Sequence, residues 1–585
     1  MGRRAAVGAG TALGASALFA PAAEAAPFEV TNTANDGTGS LRDAIEQANA
    51  NGEDDVITFQ ATVTGTIELD DSLPIDSDGL EIHGPRADQV TVDANGLDRV
   101  FYASAFEAAG ESVSISGLTL TGGDTAGRGG AVYAGPAGGE APDLTVSGLV
   151  IAGNHSQSGG GGIWARGGSM TIHASTLAAN DAGDVGGGAS LYDTSGPVTI
   201  AASTFTGNQS GGNGGGLAIW GQDDAVTILN STISGNTADA NGGGVYSNND
   251  RDTERLFANS TIFANSAAEG GGIWALLVDD DAEGEDVLEL RSTIVAGNFA
   301  TDEEPDLGDD DDVPAEDLGL FAFGFSLIER PSDVPAVESP VGSNVLGADP
   351  QLGPLAANGG PTLTHLPAPL SPALEAGIAG GLLTDQRGLP RTVDLREIGS
   401  PPGSDATDIG AVELAAPEAR VNCRGADLVL VAGTSGDDDL AGTDAADAIF
   451  GLGGDDVING RGGDDCLNGG GGKDVVRGGR GNDQLKGRGG RDRLKGQAGR
   501  DRLRGQGGDD RLDGGAGRDR LAGGAGRDRL RGGPGKDKLK GNAGRDRIVG
   551  GGGRDQINCG GGRDVAVAGS KDKVSRNCER VVKAG

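Results

Sequence analysis

From Gly433 to residue 567, apolar positions return every ninth residue, each two places after an aspartate. The template is G-x-x-G-x-D-x-U-x, with U aliphatic. Its aspartates are Asp438, Asp447, Asp456, Asp465, Asp474, Asp483, Asp492, Asp501, Asp510, Asp519, Asp528, Asp537, Asp546, Asp555 and Asp564, fifteen in register without an insertion. The U positions run from Leu440 and Ile449 to Ile557 and fade at Ala566. Each x-U-x triplet predicts a very short strand with U inward and its neighbours outward. The glycines permit a tight turn at positive φ.

A second, longer pattern fills residues from about Phe28 to Leu414. A Ser/Thr-apolar strand such as Ser203-Thr-Phe-Thr, Ser231-Thr-Ile-Ser or Ser260-Thr-Ile-Phe leads to an asparagine turn, a polar loop, a glycine cluster and another short strand. The turns fall at nearly even intervals, at Asn154, Asn180, Asn208, Asn236, Asn265 and Asn298. Short strands with no helix between them predict a parallel β-helix in which stacked asparagines satisfy backbone groups. The exception is Ser40 to Ala50. There Leu41, Ala44, Ile45 and Ala48 have helical spacing behind a Ser40 N-cap and Asp43, which predicts a helix capping the first coil.

The chemistry of the nonapeptide array follows from its residue types. Turn carbonyls and aspartate carboxylates around a small void are hard oxygen donors, which suit Ca²⁺ rather than zinc or copper. The array resembles the RTX, or haemolysin-type, calcium-binding repeat, with Gly451-Leu-Gly-Gly454-Asp-Asp456-Val-Ile458 and Gly478-Gly-Arg-Gly481-Asn-Asp483-Gln-Leu485 matching its motif well. That resemblance implies a parallel β-roll of two nonapeptides per coil with calcium between coils. The sequence departs from the motif after Gly487: Arg491, Arg500, Arg518, Arg527, Lys536, Arg545, Arg554 and Arg563 precede the aspartate where the early repeats have Asp437, Asp455 and Asp464. Neighbouring positive charge should weaken calcium binding there, so the firmest sites are expected from Asp438 to Asp483, with Arg–Asp pairs in part substituting for metal later on. The outward basic rows are read as a solvated face or as a grip for polyanions.

The longer pattern resembles the right-handed parallel β-helix proteins of the pectate-lyase-like superfamily, and within it the bacterial choice-of-anchor Q group. The resemblance is carried by Val30-Thr-Asn-Thr33, Gly39-Ser-Leu-Arg-Asp-Ala-Ile45, Asn358-Gly-Gly-Pro-Thr-Leu-Thr364, Thr384-Asp-Gln-Arg-Gly388 and Asp408-Ile-Gly-Ala-Val-Glu413. It implies an exported surface or matrix role and no particular reaction. The fold expected is all-β: a β-helix with an N-terminal capping helix, then a C-terminal β-roll. The divisions are a signal peptide over 1–25, the β-helix over 26–414, a linker and cap over 415–432, the repeats over 433–567 and a C-terminal cap over 568–585.

Composition adds a compartment and a polarity. Arg3-Arg4, the small apolar stretch from Ala5 to Ala20 and Ala23-Glu24-Ala25 read as an export leader. No other apolar run approaches a membrane span, so the mature chain is expected outside the cell, secreted or surface-associated. Four cysteines fit an oxidising exterior, and all lie at the edges of the array; Cys423 with Cys466 and Cys559 with Cys578 would each staple one end. The net charge is −40, but from Gly433 on there are 30 Lys and Arg against 24 Asp and Glu, so the preceding residues carry 16 against 62. The acidic part argues against nucleic-acid binding.

Two features bear on ligands other than calcium. Tyr133, Trp164, Tyr192, Trp220, Tyr246 and Trp274 recur at nearly even steps, each after an aliphatic residue. Alternation would then place them in one outer column, able to stack on the sugars of a polysaccharide or on one another. His83, His155, His173 and His365 form no cluster, His155 alone being expected on an exposed loop. The acidic runs at Asp279–Asp281 and Asp309–Asp312 read as solvated loops. No catalytic constellation is recognisable. The reading is a secreted calcium-binding structural or adhesive protein that binds polysaccharide, and the alternative is a carbohydrate-active enzyme (lyase, hydrolase or epimerase) carrying the repeats as an accessory module.

Overall fold

The computed structural model describes residues 27–583 except 52–53, 105–109, 137–141, 223, 250–252, 278–286, 302–303, 310–319, 332–333, 335, 369–370, 392–402, 406, 415–419, 424–425, 433–436 and 452. The leader and nearly all of the two acidic runs lie outside the described residues. The chain forms two compact units, the first closing at Glu413 and the second opening at Leu414. No described helix is long and apolar enough to cross a membrane.

The first unit is a parallel β-helix. Its strands stack into sheets of 12, 11, 7 and 9 members, each coil adding one strand to a sheet. One coil reads Met170–His173, Thr176–Ala178, Asp181–Ala182 and Ala189–Tyr192, and Val198–Ala201 then returns beside Met170–His173 in parallel register. Alternation buries Ile172 and sends Thr171 outward, and the next coil places Ile200 on Ile172. The result is a column of like residues with no cross-over in its core.

Two polar ladders hold these coils in register. The amide nitrogen of Asn180 donates to Oδ1 of Asn208 at 3.0 Å, and Asn208 does the same to Asn236 at 2.9 Å. Each Oδ1 also accepts the backbone N–H of the asparagine before it, and each amide also donates to a carbonyl, as Asn208 does to Leu177. The ladder runs from Asn154 to Asn298 and ends on Asp306, whose Oδ1 accepts from Asn298 at 3.0 Å. The Ser-Thr strands build the second: backbone N–H groups of Ser175, Ser203 and Ser231 donate to Oγ of Ser203, Ser231 and Ser260. Buried backbone groups at these corners are thus bonded within the stack.

The capping helix forms over Leu41–Asn51 and buries Leu41, Ala44, Ile45 and Ala48. Ser40 Oγ accepts the N–H of Asp43, and Asp43 Oδ2 accepts the N–H of Gly39 at 2.8 Å, a reciprocal cap. The family-like motifs at the far end have a structural task. Gln386 donates to Thr204 Oγ1 and Thr362 Oγ1 and accepts from Thr232, Arg391 donates to Asn230, and His365 bonds Ser234. Arg387 pairs with Asp385 at 2.8 Å, both fully enclosed. A segment lacking long strands is thereby fastened to the Ser/Thr face of the helix by buried polar groups.

Asn236→Ala deletes two donors and an acceptor in the middle of a closed ladder, and should cost the first unit about 3 kcal/mol in chemical denaturation, with the roll's own transition unmoved.

Candidate metal centres

In the second unit the nonapeptides alternate between two parallel sheets of 10 and 9 strands. Cys466–Gly472 pairs with Gln484–Gly490, and Val475–Arg480 with Arg493–Gly499, so like positions are offset by two nonapeptides. The unit opens on an antiparallel hairpin, Arg420–Cys423 with Ala426–Ala432, whose second strand then starts one sheet. The core is one aliphatic side chain per nonapeptide; Leu485, Leu494, Leu503 and their equivalents are buried. So narrow a core leaves the register aspartates no room to reach water: from Asp456 to Asp564 they are 0 to 2% exposed.

Each carboxylate has one oxygen bonded to the neighbouring coil. Oδ1 of Asp474 accepts the backbone N–H of Asp456 in the preceding coil, and the same bond recurs at about 2.9 Å from Asp492 to Asp564. Oδ2 is buried without a hydrogen-bond partner in Asp456, Asp465, Asp474, Asp492, Asp510, Asp519, Asp528, Asp537, Asp546, Asp555 and Asp564. Except at Asp564, where Cys559 takes the place, it lies beside the first glycine of its own turn: a Cβ on Gly505 would stand 2.1 Å from Asp510 Oδ2 and 2.6 Å from the carbonyl oxygen of Gly523 in the next coil. Carboxylate and carbonyl oxygens converge there because no side chain separates them. The fourth residue of the template, glycine in every repeat except the one with Ala445, has the tighter demand. A Cβ on Gly490 would meet the Gly472 carbonyl at 1.6 Å, so only glycine fits. The second position tolerates strain, with Arg488, Gln497, Gln506 and Asn542 at φ of 81°, 75°, 84° and 78°.

Burial lifts the carboxyls well above the usual aspartate range. Desolvation, reinforced by Asp483, Asp447 and Asp464, pushes Asp465 up to about 7, and desolvation with Asp510 and Asp474 does the same for Asp492. Asp474, Asp510, Asp528, Asp537 and Asp546 rise to about 6 for the same first cause. These are groups short of a positive partner. The arginines do not supply one: they are exposed, on positions flanking the aspartate that face outward, and the named Oδ2 atoms accept no bond from them. For these named aspartates, then, an arginine does not take the place of metal at Oδ2. Nor does the geometry change where the flanks turn basic. Among the described residues no three His, Cys, Asp or Glu side chains converge on one point. An ion between coils would take carboxylate oxygen from the turn and complete its shell with carbonyls, a donor set that fits a hard cation of variable coordination.

Both ladders of the array are finished off at its C-terminal end. Asp572 Oδ1 accepts the N–H of Asp555, and Glu579 Oε2 that of Asp564, so these two residues stand in for the next register aspartates at separations of 17 and 15 instead of 18. Cys559 and Cys578 are joined with a Cα–Cα distance of 5.1 Å, as expected. Cys466 is also disulfide-bonded, while the side chain of Cys423 lies outside the described residues.

The aromatic row departs from the single column expected. Tyr133 pairs with Trp164 across strands, but Trp164 pairs with Ser190, and Tyr192 sits opposite Arg166 and Trp220. The rings form two stacks, Tyr102–Tyr133–Trp164 and Tyr192–Trp220–Tyr246–Trp274, with most centroids 4.7 to 5.0 Å apart. Trp164, Tyr246 and Trp274 are buried, and Arg128 lies 4.8 Å above the Trp164 ring. The rings stack on one another, and the widest opening to solvent is at Tyr192, 37% exposed. The histidines also differ from expectation: His83 and His173 are exposed, His155 is half-buried and pairs with Asp181 at 2.9 Å, and His365 is buried.

Comparison with known proteins agrees with this geometry for the roll. Residues 432–467, 468–503, 486–521, 495–530 and 531–566 match the family model of the RTX calcium-binding nonapeptide repeat. A solved structure titled "Crystal structure of pectate lyase Pel9A" aligns with 67% of this chain and 97% of its own at 14% identity and a TM-score of 0.38. No curated protein matches the sequence. The chain thus carries RTX-type calcium-binding repeats on a β-roll, preceded by a parallel β-helix.

The raised carboxyls set a pH dependence. The folded, metal-free roll holds protons that the unfolded chain has released, so its stability is full below pH 3.8 and is lost as pH rises through about 6 to 7, at about 1.4 kcal/mol per pH unit for each proton. Denaturation of the chelator-treated protein should show the roll's transition weakening from pH 4 to pH 7.5, with the β-helix transition little changed.

Proposed function

We propose that this is a secreted calcium-binding protein with a structural or adhesive role at the cell surface or in the extracellular matrix. The register aspartates from Asp438 to Asp564 are its calcium ligands, with the turn carbonyls beside them. The observation that carries the reading is the column of buried Oδ2 atoms without hydrogen-bond partners, repeated coil after coil. A cation offsets the desolvation of those carboxylates, and because the sites exist only in the stacked state, binding energy becomes folding energy. Such a roll is unstable in a low-calcium interior and folds on export. The leader-like start of the sequence and the Cys559–Cys578 bridge suit that route. A folded stack of this kind is a durable spacer, consistent with a scaffolding role.

Hydrogen exchange on the full chain tests this at pH 7.5. With chelator, peptides between 437 and 567 should exchange freely; added calcium should protect them and be taken up in several equivalents, while β-helix peptides stay protected throughout. Protection without metal, with no uptake, would remove the proposed role. Asp519→Asn, which keeps the shape and removes a charge, should raise the calcium needed for half-protection roughly tenfold.

A further inference from the structure

We propose that the late coils of the roll hold a linear acidic polysaccharide along their stacked arginines. Arg493, Arg511, Arg529 and Arg547 lie directly opposite one another on four successive strands, about 4.8 Å apart. All four are exposed. Like charges so placed repel, so the row destabilises the bare protein unless an anion lies across it. A second row, Arg491, Arg527, Arg545 and Arg563, with Asp509 in the place between Arg491 and Arg527, runs beside the first and walls a groove with it. The opposite edge repeats the arrangement with Arg500, Arg518, Arg520, Lys536 and Lys538.

The chain's own carboxylates do not neutralise this surface. Between Arg491 and Arg563 there are 19 Lys and Arg against 10 Asp, and eight of those Asp are the buried register residues. Arg527 closes an ion pair with Asp509 at 3.1 Å. The buried carboxylates bond backbone N–H groups instead.

The shape of the row selects the partner. Its charges are evenly spaced and fixed to a sheet, so the ligand must present anions along a line, at about one per strand spacing of 4.8 Å. A chain of uronate sugars, one carboxylate to a ring of about that length, does so, and guanidinium groups bind carboxylates through paired hydrogen bonds. Single-stranded nucleic acid would need stacking platforms, and Phe450, at the far end of the array, is the one aromatic residue after Gly433. The phosphates of a duplex wind away from a straight row. The inference rests on the calcium reading in one respect: cations over the buried aspartates cancel negative charge on the groove floor, so the calcium-loaded roll is the stronger binder.

Fluorescence anisotropy of labelled oligogalacturonate with the full-length, calcium-loaded protein decides the matter. Binding should weaken steeply with added NaCl, and neutral dextran should not compete. Replacing Arg493, Arg511, Arg529 and Arg547 together by Gln should lower the affinity at least about tenfold and flatten the salt dependence. Calcium-induced exchange protection in the same variant shows whether the roll still folds; if it does not, R529Q/R547Q provides the comparison, with a smaller loss expected. Unchanged affinity in a folded variant, equal competition by dextran, or tighter binding of duplex DNA overturns the proposal. A roll that takes up no calcium yet still binds the oligomer through these arginines would sink the calcium reading and leave this one standing.

Discussion

A carboxylate enclosed between stacked coils is the constraint on which the second unit turns. The two units solve one problem with different side chains. Both need a polar group at each corner to accept a backbone N–H from the neighbouring coil. In the β-helix that group is an amide, whose oxygen accepts twice while its nitrogen donates onward, so the side chains from Asn154 to Asn298 are used at both ends. In the roll it is a carboxylate, with two acceptors and no donor. One oxygen finishes the corner; the other is left enclosed. The amide ladder is complete in itself, whereas the carboxylate ladder requires a proton or a cation.

That difference gives the two units different relations to their surroundings. The β-helix rests on a broad apolar interior, from Val30 to Val334, with its corners already satisfied. The roll has a single aliphatic column per sheet and carboxyls lifted toward neutrality. Its stability is set by what the solvent offers. The basic rows sit on the same coils, on the outer side of the same strands. The late coils therefore have a cationic exterior over an anionic interior, and charge added to either side alters the field at the other.

Much of this was legible in the sequence because both repeats are uninterrupted. Fifteen aspartates in perfect register fix the pairing offset once two nonapeptides make a coil, and the asparagine spacing did the same for the β-helix. The capping helix was readable from Leu41, Ala44, Ile45 and Ala48. What escaped was whatever breaks the period. Trp164 and Tyr192 stand slightly further apart than one coil advances the register, since Trp164 pairs with Ser190, and spacing alone does not say whether the surplus falls in the strand or the loop. Asp572 and Glu579 end the ladders at shortened intervals, so no periodic search would find them. The Gln386–Arg391 cluster belongs to an irregular segment whose partners, Thr204, Asn230 and Thr232, lie far earlier in the chain. The late arginines were visible, but not that they leave Oδ2 of aspartates such as Asp510, Asp528 and Asp546 without a hydrogen bond.

The offset of two nonapeptides between like positions also governs how such a domain can lengthen or shorten over generations. Duplicating or losing a whole coil returns every downstream side chain to the same sheet and the same column, so copy number is free to drift. Gaining or losing one nonapeptide would move all that follows to the opposite sheet, bringing arginine rows against unfamiliar neighbours and setting the closing residues under the wrong ladder. Inheritance should therefore count this array in twos.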